Sequence, residues 1–334
     1  MKMLFTHRPG GAYGVISESW MNAARSMGIE VARLDEQLGR DHTEASKAWD
    51  AFKPDVYIGC SGHRQCIPPV KYRGSTKVAI HVNPMPNVGD STVNESQDAI
   101  NWILWQKPDA IFGYGFEYDA HWWAGWTTRH KLSFVPMATA GDITLYKPDY
   151  SVAGTEQIVY VGGYWHYKAK SIDKYLLPVD RRIKIDLYGW GDWPIKSKSI
   201  TDEQIPGVLA RAKVGPCISE PHTHSVGIDL PERVFKVILS GAIPVHDPAM
   251  KIRMALPSIP VATDPASYLA LCEQYVNMRE QTRREISFKL ITELISRGHT
   301  YHHRIANLLA KLGFGEYVHK AKEQCDLFLR NIKQ

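Results

Sequence analysis

Ile228-Asp229-Leu230-Pro231-Glu232-Arg233-Val234-Phe235-Lys236-Val237-Ile238-Leu239-Ser240-Gly241-Ala242-Ile243-Pro244-Val245 reads as one helix feeding one strand. Val234, Phe235, Val237, Ile238 and Leu239 recur at the spacing of an inward helix face, and Gly241 supplies the stop. The apolar run Ala242–His246 that follows has the length of a buried strand. A helix returning to a strand through Ser-Gly-Ala is the repeating step of a parallel α/β sheet.

The same step recurs on both sides of it. In the first half the spacing predicts strands at Lys2–Thr6, Glu30–Leu34, Val56–Gly59, Lys77–Val82, Ala110–Tyr114 and Leu132–Val135, with a helix at Ser17–Met27 stopped by Gly28. The second half adds strands at Ile158–Val161, Lys184–Tyr188, Val214–Ile218, Ala242–His246 and Pro260–Ala262, and a helix at Glu232–Ser240. After Pro265 the pattern is helical to the end, strongest over Tyr275–Ser296 and Tyr301–Leu312. Gly141, Pro148 and Gly154 punctuate a polar stretch, Ala140–Thr155, that marks a domain boundary. The expected organisation is residues 1–145, residues 146–312 and a helical tail at 313–334. Two Rossmann-like domains facing a central cleft would bind their ligand in that cleft.

Bulk composition agrees with two folded domains. The 334 residues are 44% hydrophobic and 22% charged, which excludes a disordered chain. No apolar run approaches the roughly 20 residues that span a bilayer, and His7 and Arg8 interrupt the start, so a cytoplasmic location is expected. The odd, scattered cysteines Cys60, Cys66, Cys217, Cys272 and Cys325 read as reduced thiols. A net charge of +5 is compatible with an anionic ligand or a nucleic-acid acceptor, and equally with an ordinary enzyme.

Several segments carry chemistry. His7-Arg8-Pro9-Gly10-Gly11-Ala12-Tyr13-Gly14 lies between the first strand and helix, where Gly11 can bring main-chain N–H groups to an anion; the bland reading is a tight turn. It is not a dinucleotide fingerprint: Pro9 stands where the first glycine of G-x-G-x-x-G belongs, which disfavours a nicotinamide enzyme. Val161-Gly162-Gly163 ends a strand and precedes Lys168 and Lys170, a grouping that suits a diphosphate unless the lysines are simply solvated. Tyr188-Gly189-Trp190 ends another strand with rings able to stack on a base, while Trp193 reads as a core cap. Arg233 can pair bidentately with a phosphate oxygen, and His222 or His224 can touch a donor sugar or phosphate. No carboxylate stands at ligand spacing with these histidines or with His299, His302 and His303, so no metal site is expected. The aromatic stretch from Trp102 to Trp126 is part core, and His121–Trp126 is a candidate acceptor-stacking loop.

The run Glu232-Arg233-x-Phe235 with Ser240-Gly241-Ala242 and Pro244 resembles the E-R-x-F-E-A-x-x-x-G-A pattern of glycosyltransferases related to the spore-maturation type. Gly298-His299-Thr300-Tyr301-His302-His303-Arg304 resembles that family's late H-T-Y-x-H-R segment. The order of blocks is also similar to the second domain of phage DNA β-glucosyltransferase. The resemblance covers roughly Ile158–Leu312. It implies an α/β GT-B fold and a nucleotide-sugar donor, UDP-linked, held by the second domain without a metal or other cofactor. It further implies a hydroxyl acceptor held by the first domain: a hydroxymethylated pyrimidine of phage DNA, or a glycan or small molecule. The implied donor site comprises Gly11, Gly162, Gly163, Lys168, Lys170, Tyr188, Gly189, His222, Glu232, Arg233 and Lys236.

Two positions depart from the family. Lys236 replaces a glutamate that accepts from the donor ribose, leaving Glu232 one turn away as a substitute, and Asn83 replaces the aspartate of a first-domain strand end. For the base that deprotonates the acceptor, Asp90 and then His81 are the candidates. The same two departures leave open a GT-B protein that binds without catalysis.

Overall fold

The computed structural model describes residues 1–7, 11–35, 41–63, 73–82, 97–115, 121–226, 230–249 and 251–333. The chain groups into two compact units, Met1–Thr139 with Tyr301–Asp326, and Ala140–Thr300 with Leu327–Gln334.

The first unit is built on β1 (Lys2–His7), α1 (Gly11–Ser26), β2 (Glu30–Asp35), α2 (His42–Phe52), β3 (Val56–Cys60), β4 (Lys77–His81), α3 (Gln97–Gln106), β5 (Ala110–Gly113), α4 (His121–His130) and β6 (Phe134–Pro136). Its strands pair in parallel, in the order β2-β1-β3-β4-β5-β6. Helices cover both faces, so β3 and β5 are buried at every residue and read as continuous apolar runs. Leu4, Tyr57, Ile80, Ile103 and Ile111 share one core with Trp49 of α2. Asp41 caps α2 by accepting from the Thr43 and Glu44 amides. The glycine-rich segment expected as a loop instead contributes Gly11 and Gly14 to α1, where Ser17 Oγ donates to the Gly14 carbonyl.

The second unit contains β7 (Glu156–Val161), α5 (His166–Ser171), α6 (Leu177–Arg182), β8 (Ile185–Tyr188), α7 (Ile205–Ala210), β9 (Ala212–Cys217), α8 (Pro221–Val226), α9 (Glu232–Leu239), β10 (Ile243–His246), α10 (Ile252–Ala255), α11 (Pro265–Val276) and α12 (Glu280–Ser296). A π-helical turn, Ile172–Leu176, joins α5 to α6. All four strands are parallel, in the order β10-β9-β7-β8. Tyr160, Ile172, Leu176, Leu187, Val214, Val245 and Tyr268 form the core on one face. The strand expected at Pro260–Ala262 is only a bridge from His246 to Val261. The helix expected over Tyr275–Ser296 is two, α11 capped by Asp264 and α12 beginning at Glu280; no Gly or Pro marks the turn at Asn277–Arg279.

The last helices, α13 (Tyr301–Lys311) and α14 (Tyr317–Ile332), divide the chain differently from the sequence. The expected second domain ran through residue 312, but α13 folds with the first unit. Ser26 Oγ of α1 and His302 Nε2 are 2.6 Å apart, and Arg304 Nε donates to the Ala138 carbonyl at 2.9 Å. Both contacts lie hundreds of residues or nearly so apart in sequence, where no local pattern reports them. Among the described residues, no helix is long and apolar enough to cross a membrane.

Candidate functional site

In the second unit the chain runs from β7 outward to β8 and then returns to place β9 on the other side of β7. That reversal is the topological switch point of an open parallel sheet, and the carboxyl ends of the two diverging strands frame a ligand crevice. Gly162 and Gly163 follow β7, Ser219 and Glu220 follow β9, and Asp247 follows β10.

Arg233, in the first turn of α9, reaches back to the end of β7. Its Nε donates to the Val161 carbonyl at 2.9 Å, and its guanidinium lies 4.4 Å from the Tyr160 ring centroid. Gly162 makes this possible, because a Cβ there would collide with Nη2 of Arg233. The third nitrogen, Nη1, is buried and has no hydrogen-bond partner. A guanidinium anchored at one nitrogen and unsatisfied at another has a donor to offer an anionic oxygen.

The loop after β7 lies against the loop after β8. Gly162 N donates to the Tyr188 carbonyl and Tyr164 N to the Trp190 carbonyl, both at 2.9 Å. Gly189 permits this approach, since a Cβ there would overlap the Gly162 carbonyl oxygen. Trp190 lies over Gly163 and is 65% exposed. Trp193 packs edge-on to Tyr160 in the core, as its sequence context suggested. The Lys198 ammonium sits 5.2 Å from the Tyr188 ring centroid.

Lys168 and Lys170 part company. Lys170 is exposed on α5, whereas the Lys168 side chain is 4% exposed and its ammonium is 2.7 Å from Glu220 Oε1. Burial pushes the Cys217 thiol, at the end of β9, up to about 12, and the charges of Arg233, Asp247 and Lys168 all reach it.

Asp247 anchors the rest. Its carboxylate accepts from Ser219 N at 3.0 Å, Ser219 Oγ at 2.8 Å and His224 Nε2 at 3.1 Å, and His246 Nδ1, which is 2.8 Å from the Asp247 carbonyl oxygen, lies 3.0 Å from Oδ1. Burial opposes its charge, but the hydrogen bonds from His224 and His246 outweigh burial and hold it well below the usual carboxylate range. The other His224 nitrogen, Nδ1, faces the Pro248 carbonyl at 3.1 Å. Both partners are acceptors, an arrangement that favours the doubly protonated ring, and the hydrogen bond to Asp247 raises the His224 pKa.

Glu232 and Lys236 share a face of α9 and pair with one another. The Lys236 ammonium is 5.6 Å from the ring centroid of Tyr146, whose phenol burial pushes up to about 12. Burial pulls Lys236 down, but Glu232 and Tyr146 more than offset this and hold it above its usual value.

The structure thus collects Gly162, Gly163, Lys168, Tyr188, Gly189 and Arg233 at the carboxyl edge of the second sheet, with Glu232 opening α9 and Lys236 one turn on. Gly11 opens α1 in the first unit. The His222 side chain, Asp90 and Asn83 lie outside the described residues, as do the side chains of Trp122, Trp123 and Trp126. His81 is buried among Tyr13, Trp20, Phe112 and Tyr114, with Nδ1 3.6 Å from Cys60 Sγ. Sequence reasoning passed over Glu220 and Asp247. Each is a carboxylate just past an apolar strand run, and that placement was the available signal. Among the described residues, no three or more His, Cys, Asp or Glu side chains group to hold a metal ion.

Residues 172–310 match the family described as glycosyl transferase-like. No curated protein matches the sequence. Solved structures do match its fold. A DNA-modifying β-glucosyltransferase, solved with and without uridine diphosphoglucose, is 12% identical, with 96% of this chain and 99% of that one covered at a TM-score of 0.54. An α-glucosyltransferase in complex with UDP and a 13-mer DNA is 12% identical over 88% and 95% at 0.54. A glycosyltransferase involved in avilamycin A biosynthesis is 13% identical over 98% of each chain at 0.56. At such identities likeness carries the fold alone: the chain has the two-unit α/β GT-B fold of these glycosyltransferases, and its residues 172–310 match the glycosyl transferase-like family.

Proposed function

We propose that the protein transfers a sugar from a uridine-diphosphate donor to a hydroxyl acceptor, and that the acceptor is a hydroxymethylated pyrimidine in DNA. The observation that carries the donor half is Arg233: anchored on Val161, stacked on Tyr160, and left with a buried, unpartnered Nη1 beside the Gly162 turn. A diphosphate oxygen is the acceptor this donor lacks. As the glycosidic bond breaks, charge grows on the leaving diphosphate, and a cation already fixed in place stabilises it without reorganisation. Lys168 adds a second cation from α5. Asp90 is the proposed base that takes the acceptor proton; His81, enclosed by aromatic rings, serves packing. This chemistry needs no metal.

The DNA half rests on three supports. Two structures of similar fold are named with DNA as well as with UDP or its glucose conjugate. The net charge of +5 favours a polyanionic acceptor. The aromatic and basic residues around His121–Arg129 suit an extruded base. Incubation with UDP-glucose and hydroxymethylcytosine-containing DNA, followed by mass analysis of the nucleosides, tests the whole. A hexose-bearing nucleoside from modified but not plain DNA is the expected product. Release of UDP onto a small acceptor with DNA untouched would replace the DNA half and keep the donor half.

A second reading, nucleotide binding without transfer, is favoured by the Lys236–Glu232 pair, which occupies the carboxylate available to donor hydroxyls. Tight UDP binding with neither transfer nor donor hydrolysis would select it.

A further inference from the structure

Two carboxylates stand at the carboxyl edge of the second sheet, and they are satisfied very differently. Asp247 has three hydrogen-bond partners shared over its two oxygens, with His246 close by, and is fully buried. Such a group is part of the fold. Among the described residues Glu220 has one side-chain partner, the Lys168 ammonium on Oε1, while its Oε2 is buried with no hydrogen-bond partner. Buried polar atoms in native folds are nearly always paired, so an orphaned carboxylate oxygen marks a group that is not in its final arrangement. The Arg233 Nη1 donor, at the same carboxyl edge of the sheet through its bond to the Val161 carbonyl, is orphaned as well, and the two orphans do not satisfy each other.

The geometry points to Glu220 as an exchangeable counter-ion: it neutralises Lys168 before a ligand binds and yields that ammonium to the incoming diphosphate. This rests on the reading of the second unit as a diphosphate site. Lys168 is almost wholly removed from water, and a buried ammonium without an anion is strongly unfavourable. Until a ligand binds, that ammonium needs a resident anion. Glu220 can fill that role because it sits on the short connection between β9 and α8 and is itself only partly buried, so its side chain has a route to solvent. A diphosphate brings several acceptor oxygens, enough to take Lys168 and the free Nη1 of Arg233 together. Glu220 satisfies only the first of these. The exchange turns two half-satisfied groups into two satisfied ones, and the carboxylate moves from a buried position to a hydrated one. Glu220 sets affinity by competition: each binding event must displace it.

Glu220→Gln tests this, because the amide keeps the size and an acceptor oxygen but loses the charge. Titration of the full chain with inorganic pyrophosphate and with UDP should give a dissociation constant about tenfold lower in Glu220→Gln than in wild type. Ligand-free Glu220→Gln should melt earlier than wild type, because Lys168 has lost its anion, and pyrophosphate should raise its melting temperature by more. The pair Lys168→Gln with Glu220→Gln keeps the variant from failing for stability alone: it should melt near wild type and show neither effect. Unchanged or weaker pyrophosphate binding in a folded Glu220→Gln, alongside weakened binding in Lys168→Gln, would overturn the exchange and leave the diphosphate site standing. No binding of either ligand to wild type or Glu220→Gln would remove both.

Discussion

Lys236 and Glu232 stand one helical turn apart on α9 with 2.6 Å between ammonium and carboxylate, and each is only slightly exposed. In most surface ion pairs of this spacing water takes over when one partner is removed. Here it has little access, so the pair behaves as a unit.

Lys236→Gln should therefore lower folding stability by about 1–3 kcal/mol, because it strands a poorly hydrated carboxylate beside the Tyr146 phenol. Urea unfolding measures this. A change indistinguishable from zero would mean that Glu232 rehydrates freely.

Arg233→Lys should weaken UDP binding at least tenfold with little effect on melting temperature. A lysine ammonium cannot hold the Val161 carbonyl and present a second, fixed donor to phosphate, which the planar guanidinium does. Isothermal titration of wild type and variant with UDP decides it; equal affinities would show that the guanidinium meets no phosphate.

Gly189→Ala and Gly163→Ala should differ sharply although both sit in the paired loops. A methyl on Gly189 meets the main-chain oxygen of Gly162, which can move only if the loop pairing opens. A methyl on Gly163 meets the Trp190 ring at 2.5 to 2.9 Å, and that exposed indole can swing aside. Nucleotide binding should be lost in the first variant and largely kept in the second, as read by the same titration.

Alkaline pH should weaken the second unit through His224. Its folded pKa is raised, so its contribution is complete below the ordinary value of 6.5 and fades as pH climbs through the folded one. Melting temperatures from pH 6 to 9 should fall in wild type, and the slope should flatten in His224→Asn.

Acid should act on the first unit through α13. Burial lowers His302 and His303 to about 4, so folding is favoured above the ordinary value of 6.5 and loses support as pH drops from there toward 4. A His302→Gln variant should lose part of that acid dependence. If the two profiles between pH 6.5 and 4 superimpose, the ring does not titrate in this range.

Local chemistry explains what was legible beforehand. The strands of both sheets are nearly uniform apolar runs, because helices cover both faces, and such runs announce themselves. The helix Glu232–Leu239 was readable to within a residue for the same reason: five of its side chains point inward. The glycine pairs signalled tight turns. What stayed hidden was pairing at a distance. Lys168 looked like a free cation because Glu220 lies 52 positions away, and Asp247 looked ordinary because its partners Ser219 and His224 arrive on another connection. The return of α13 to the first unit depends on Ser26 meeting His302, 276 positions on.

That return shapes how the protein can be dissected. Neither compact unit is an unbroken stretch of polypeptide, since the chain leaves the first after Thr139 and re-enters it at Tyr301. A gene fragment ending at residue 139 would strip α1 of the helix that covers it, while one covering residues 140–334 would carry that helix as an orphan. Working halves are better obtained by circular rearrangement that joins residues 301–326 ahead of Met1 than by simple cleavage at the boundary.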